Sequence, residues 1–178
     1  QLATECYKKS IDLNPNYIDA ITNLGIIWDL VNDFTQSEKY FQQALSLDPT
    51  NISVLYNLAN CHFNSKDFKQ SMRVCQKIID LDASFYFAYN RMGLCYTQLD
   101  DEAKAKVFFE KAIKINPDYS EALTNYGLVL QKLREYTSAT EQFEKALSID
   151  PNSDTALLNL SKSYFDEGRL EKSIEIAK

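Results

Sequence analysis

Apolar and small residues recur at three- and four-residue spacing at Ile21, Leu24, Gly25 and Trp28, which places them on one face of a helix. Asn32-Asp33-Phe34 reads as a turn, and Ser37, Phe41 and Ala44 then define the inward face of a second helix. Asp48-Pro49 stops it, because proline lacks a backbone N–H and pushes the residue before it out of the α region. The predicted unit is a helical hairpin. It recurs without insertion or deletion: Pro15, Pro49, Pro117 and Pro151 are separated by 34, 68 and 34 residues, and Ala83 stands at the beat the prolines skip.

The same period aligns Gly25, Ala59, Gly93, Gly127 and Ser161 in a column of small residues, and Ala3, Ser37, Ser71, Ala105, Ala139 and Ser173 in another. Four residues further on comes Tyr7, Phe41, Cys75, Phe109, Phe143 and Ala177. Glycine inside a helix costs roughly 1 kcal/mol against alanine. Its return at Gly25, Gly93 and Gly127 therefore predicts that the two helices of each hairpin cross closely, with large side chains filling the space beside them. A fixed period in this range marks an all-α solenoid of stacked helix-turn-helix units. The register divides the chain into a second helix of a partial repeat (1–17), complete repeats at 18–51, 52–85, 86–119 and 120–153, and a partial repeat at 154–178. Because both ends cut through hairpins, the chain is expected to be part of a longer array.

Ile21, Leu24, Gly25 and Trp28 followed by Ser37, Phe41, Ala44 and Pro49 resemble the tetratricopeptide repeat, as do Tyr89, Met92, Gly93 and Tyr96 with Ala105, Phe109, Ala112 and Pro117. Leu123, Tyr126, Gly127 and Leu130 with Ala139, Phe143, Ala146 and Pro151 make a third match. The stretch 52–85 departs most, with His62 for an aromatic, Cys75 for phenylalanine, Ile78 for alanine and Ala83 for proline, yet its register holds. The resemblance spans the whole chain. It implies a right-handed superhelical α-solenoid of 34-residue helix-turn-helix repeats that acts as a protein-interaction scaffold and carries no catalytic residues of its own.

Composition narrows the partners. With 19 Lys and Arg against 25 Asp and Glu, the net charge of −6 argues against a phosphate-backbone partner, since nonspecific nucleic-acid affinity needs clustered cations. No apolar run reaches the roughly 20 residues of a transmembrane helix, and no targeting segment is recognisable, so a cytoplasmic protein is expected, with nuclear, cytoskeletal and ciliary sites left open. Cys6, Cys61, Cys75 and Cys95 show no metal-ligand spacing, and the same-column pair Cys61 and Cys95 sits about a repeat apart, too far for a disulfide, so free thiols are expected. The single histidine, His62, shares a column with Trp28, Tyr96 and Tyr164 and reads as a packed core residue rather than a metal ligand. No Gly-rich phosphate loop or nucleophile elbow is present, and neither cofactor nor metal is expected. The run Asp100-Asp101-Glu102 falls in a turn and reads as helix capping.

In the family the first helices of successive repeats line a concave groove, and the inward column here reads Asn23, Asn57, Arg91, Asn125 and Asn159. A carboxamide offers an acceptor and two donors, so such a ladder suits the N–H and C=O groups of an extended partner segment. It is similar to the asparagine ladder of the substrate-recruiting repeats of O-linked N-acetylglucosamine transferase. A solvated helix face is the competing reading, because asparagine is common at this phase in the family. Tyr56, Asn60, Phe63, Phe87 and Asn90 are the neighbouring inward positions, and aromatic anchors beside amides are typical of interfaces. Co-chaperone repeats, which grip a chain-end carboxylate, also resemble this pattern at Asn57 and Arg91. Their lysine, asparagine and lysine columns, however, hold Thr22, Ile26 and Phe87. RNA-reading helical repeats have a slightly longer period, and the acidic balance opposes them. The expected partner is thus a protein or peptide segment, with a larger chain or multiprotein complex as its setting, and the alternative role is the recruiting arm of a larger enzyme.

Overall fold

The computed structural model describes residues 2–176 as eleven helices joined by short turns, with no strand among the described residues. They are α1 (Leu2–Leu13), α2 (Ile18–Leu30), α3 (Phe34–Leu47), α4 (Ile52–Asn64), α5 (Phe68–Leu81), α6 (Tyr86–Gln98), α7 (Glu102–Ile115), α8 (Ser120–Lys132), α9 (Tyr136–Ile149), α10 (Asp154–Asp166) and α11 (Leu170–Ile176). First helices begin at residues 18, 52, 86, 120 and 154 and second helices at 34, 68, 102, 136 and 170, so the 34-residue period belongs to the elements themselves. The chain forms two compact units, Gln1–Arg91 and Met92–Lys178. In the first, α2 packs on α3, α3 on α4 and α4 on α5, with α2 beside α4. In the second, α7 packs on α8, α8 on α9, α9 on α10 and α10 on α11, with α8 beside α10.

The close crossing has a direct measure. A Cβ placed on Gly25, Gly93 or Gly127 would lie 2.6, 2.6 or 2.5 Å from the ring of Phe41, Phe109 or Phe143 in the facing helix. Those three rings are almost wholly buried, so they have no room to retreat. In the repeat that lacks the phenylalanine the exchange runs both ways. Cys75 stands in the ring's column and Ala59, not glycine, in the small one, and both are fully buried. The small second-helix column adds a polar tie there, where the Ser71 hydroxyl donates to the carbonyl of Ala59 at 2.8 Å.

Turn chemistry repeats as strictly. Asn32, Lys66, Asp100, Arg134 and Gly168, one per repeat, all have positive φ, from 55 to 77°. This left-handed residue ends each first helix, and the next N–H reaches back five residues, as from Asp67 to His62 at 2.8 Å and from Glu135 to Leu130 at 2.9 Å. Asp33, Asp67 and Asp101 then cap the second helices by accepting from the N–H three residues on. At the far end Asp48, Asp82, Asn116 and Asp150 accept from the N–H two residues later, a local turn that needs no proline. That explains why the beat at Ala83 keeps its register: Asp82 takes both the N–H and the hydroxyl of Ser84.

Candidate functional site

In the first unit the ladder face is carried by α2, α4 and the start of α6. Asn23 and Asn57 are half-buried, and neither carboxamide hydrogen-bonds to the described residues. Both therefore remain available. Asn60, one turn after Asn57, is also half-buried, but its Oδ1 is enclosed without a partner. Tyr56 and Phe87 are packed together, ring centroids 5.9 Å apart, and Phe85 completes the group at 5.5 and 5.4 Å from them. Phe87 thus serves as an inter-helix packing residue of α6 on α4. Asn90 is a correction to the sequence reading: it is only 1% exposed and cannot meet a partner. It precedes Arg91, so it points about 100° away around the helix, toward the packed side where Thr124 of the same column is also buried.

Arg91 lies on the ladder with its guanidinium over two rings of α4, 4.6 Å from the centroid of Phe63 and 5.9 Å from that of Tyr56. Near it, at the end of α2, is Asp29, a residue the sequence reading passed over. Asn64 of α4 donates to its Oδ2 at 2.8 Å, and its Oδ1 is buried without a partner. Burial pushes the Asp29 carboxyl above the ordinary aspartate range, against the opposing pull of Asn64, Cys61 and the charge of Arg91. Asp29 and Phe63 share a column six residues after the ladder, and that column was the signal available in the sequence.

The second unit carries Asn125 on α8 and Asn159 on α10. Asn125 lines a surface cavity of about 290 Å³ with Glu121, Thr124 and Thr155. Asn159 lines another of about 390 Å³ with Leu128, Gln131, Lys132, Lys162 and Asp166, but its Nδ2 is already donated to the carbonyl of Thr155 at 2.7 Å. Gln131 bridges the two helices, donating to the Asn159 carbonyl at 3.0 Å and the Ser163 hydroxyl at 2.7 Å. Lys132 is held by Glu102 at 2.9 Å. Gln131 stands in the column of Asp29 and Phe63, two beats after Phe63.

Away from the ladder, His62 is 9% exposed and its Nε2 lies 3.9 Å from Glu38, beside a cavity of about 470 Å³ also lined by Phe34, Cys61 and Val74. The packed-histidine expectation holds. All four cysteines are free thiols, three of them buried. Among the described residues no cluster of three His, Cys, Asp or Glu could hold a metal, and no helix is long and apolar enough to cross a membrane.

Four models described as tetratricopeptide repeat match the sequence, over residues 30–90, 86–119, 108–141 and 127–178. No curated protein matches significantly. Among solved structures, MamA superposes with a TM-score of 0.74 at 23% identity, covering 89% of this chain and 87% of that one. YrrB, described as a TPR protein with an unusual peptide-binding site, gives 0.68 at 20% identity over 97% and 89% of the two chains. The Cut9–Hcn1 hetero-tetramer of the APC/C gives 0.84 at 16% identity, this chain spanning 35% of that one. At these identities the likeness is one of fold. With the helical hairpins, the Gly–Phe crossings and the recurrent turn all in one period, residues 30–178 belong to the tetratricopeptide-repeat family.

Proposed function

We propose that the chain is a non-catalytic interaction scaffold that holds an extended or helical segment of a protein partner against its ladder face. The observation that carries this reading is the state of Asn23 and Asn57: half-buried on adjacent first helices, with unspent donors and acceptors. Such groups match a peptide backbone at a net gain of about 1 kcal/mol per hydrogen bond. Two relatives by fold point the same way, since YrrB is described by its peptide-binding site and Cut9 as part of a hetero-tetramer.

The test is crosslinking of the full-length protein in its own cells, followed by affinity measurement with the partner so identified. Asn23→Ala combined with Asn57→Ala is expected to weaken that partner roughly tenfold or more with an unchanged circular-dichroism spectrum. Full affinity in the double variant would make the ladder a solvated helix face and move the binding surface elsewhere. A recruiting arm for a glycosyltransferase is the second reading, resting on the ladder's similarity to that enzyme's repeats, and a nucleotide-sugar-binding α/β domain in the full-length sequence distinguishes it.

A further inference from the structure

Arg91 is the one cation of the five-residue ladder, and three features of its setting bear on what it binds. Its guanidinium rests over Phe63 at 4.6 Å and Tyr56 at 5.9 Å, so its orientation is set by packing before any partner arrives. Nε is enclosed and unpartnered, while the terminal nitrogens are neither enclosed nor hydrogen-bonded among the described residues. Asp29 is within electrostatic reach but forms no ion pair with it, and burial shifts that carboxyl toward its neutral form. The charge is thus pre-oriented and unspent. We propose that Arg91 is a specificity contact for a side-chain carboxylate, Asp or Glu, of the partner segment, a reading that rests on the ladder face being the binding surface.

Other occupants fit less well. A lysine would be repelled by Arg91, and an apolar side chain would leave the guanidinium's donors unanswered beneath it. A phosphoryl dianion would meet Asp29 with a single cation to offset it. A chain-end carboxylate would find one cation, since Thr22 and Phe87 stand where the co-chaperone pattern has lysines. A planar carboxylate takes two parallel N–H groups from one guanidinium and needs no further charge.

The experiment uses the full chain and three pools of short peptides, acetylated and amidated at their ends, with randomised flanks around a fixed central Glu, Gln or Lys. The Glu pool is expected to be retained about tenfold over the Gln pool, with the preference shrinking as salt rises from about 50 to about 500 mM. Arg91→Gln should erase the preference of the Glu pool over the Gln pool, and Arg91→Lys should keep part of it, each variant's fold being checked by its thermal melt. Equal retention of Glu and Gln, a preference that survives Arg91→Gln, or one that appears only with free C-terminal carboxylates overturns the assignment and leaves the ladder reading intact. If no pool is retained, or retention ignores Asn57→Ala, the ladder reading falls and this assignment with it.

Discussion

At the scale of residues, the sharpest constraint is the pairing of a missing side chain with a large one. Gly93 has no Cβ because Phe109 occupies its place at 2.6 Å, and the rule is obeyed in reverse where Cys75 relieves the crowding and Ala59 is accommodated. Gly93→Leu should therefore overpack the hairpin and cost roughly 1–3 kcal/mol, seen as a lower thermal midpoint. An unaltered melt would contradict the close crossing. Asp29 illustrates the opposite economy, in which a half-buried carboxyl group with one enclosed, unpartnered oxygen is tolerated beside the ladder.

At the scale of elements, the second helix of one hairpin and the first helix of the next are tied by side chains that cross the interface between repeats. Tyr164 of α10 donates its hydroxyl to Glu144 of α9, and burial followed by that hydrogen bond pushes the phenol up to about 12 from the ordinary 10.0. Since the folded value is raised, the stabilisation is complete below pH 10.0 and is lost as pH climbs through about 12. Denaturant midpoints across that window should fall faster for the native chain than for Tyr164→Phe, which has no phenol to ionise. Parallel decline in the two would mean that the hydroxyl is not protected by the fold. Tyr126 of α8 is raised further still, again by burial first and then by its hydrogen bond to Glu110 of α7.

At the scale of the whole molecule, the helices within each unit meet mainly their neighbours in the chain, so damage should remain local. Phe143 lies in a cluster with Leu130, Ala139, Leu160 and Tyr164, wholly within the second unit. Phe143→Ala should cost about 3–5 kcal/mol and speed amide exchange in α8, α9 and α10, while α3 and α4 keep their protection. Uniform loss of protection along the chain would show a single cooperative core instead.

The period, the helix pairing and the glycine–phenylalanine contacts were legible in the sequence, because each depends on residues a fixed distance apart that meet within one hairpin. The turns were only partly so: the left-handed column holds Asn32, Lys66, Asp100 and Arg134, and glycine reveals it only at Gly168, since backbone closure rather than residue type imposes that conformation. The column Asn23, Asn57, Arg91, Asn125 and Asn159 follows from the period alone, but the condition of each side chain in it does not. Whether a carboxamide is free, spent on Thr155 like Asn159, or enclosed like Asn90 depends on how neighbouring helices approach one another. The same holds for Arg91, whose setting over Phe63 and Tyr56 arises only when α4 and α6 pack side by side. Spacing along one helix fixes which face a residue shares, whereas burial and the pairing of a polar group are decided by the helices that cover it.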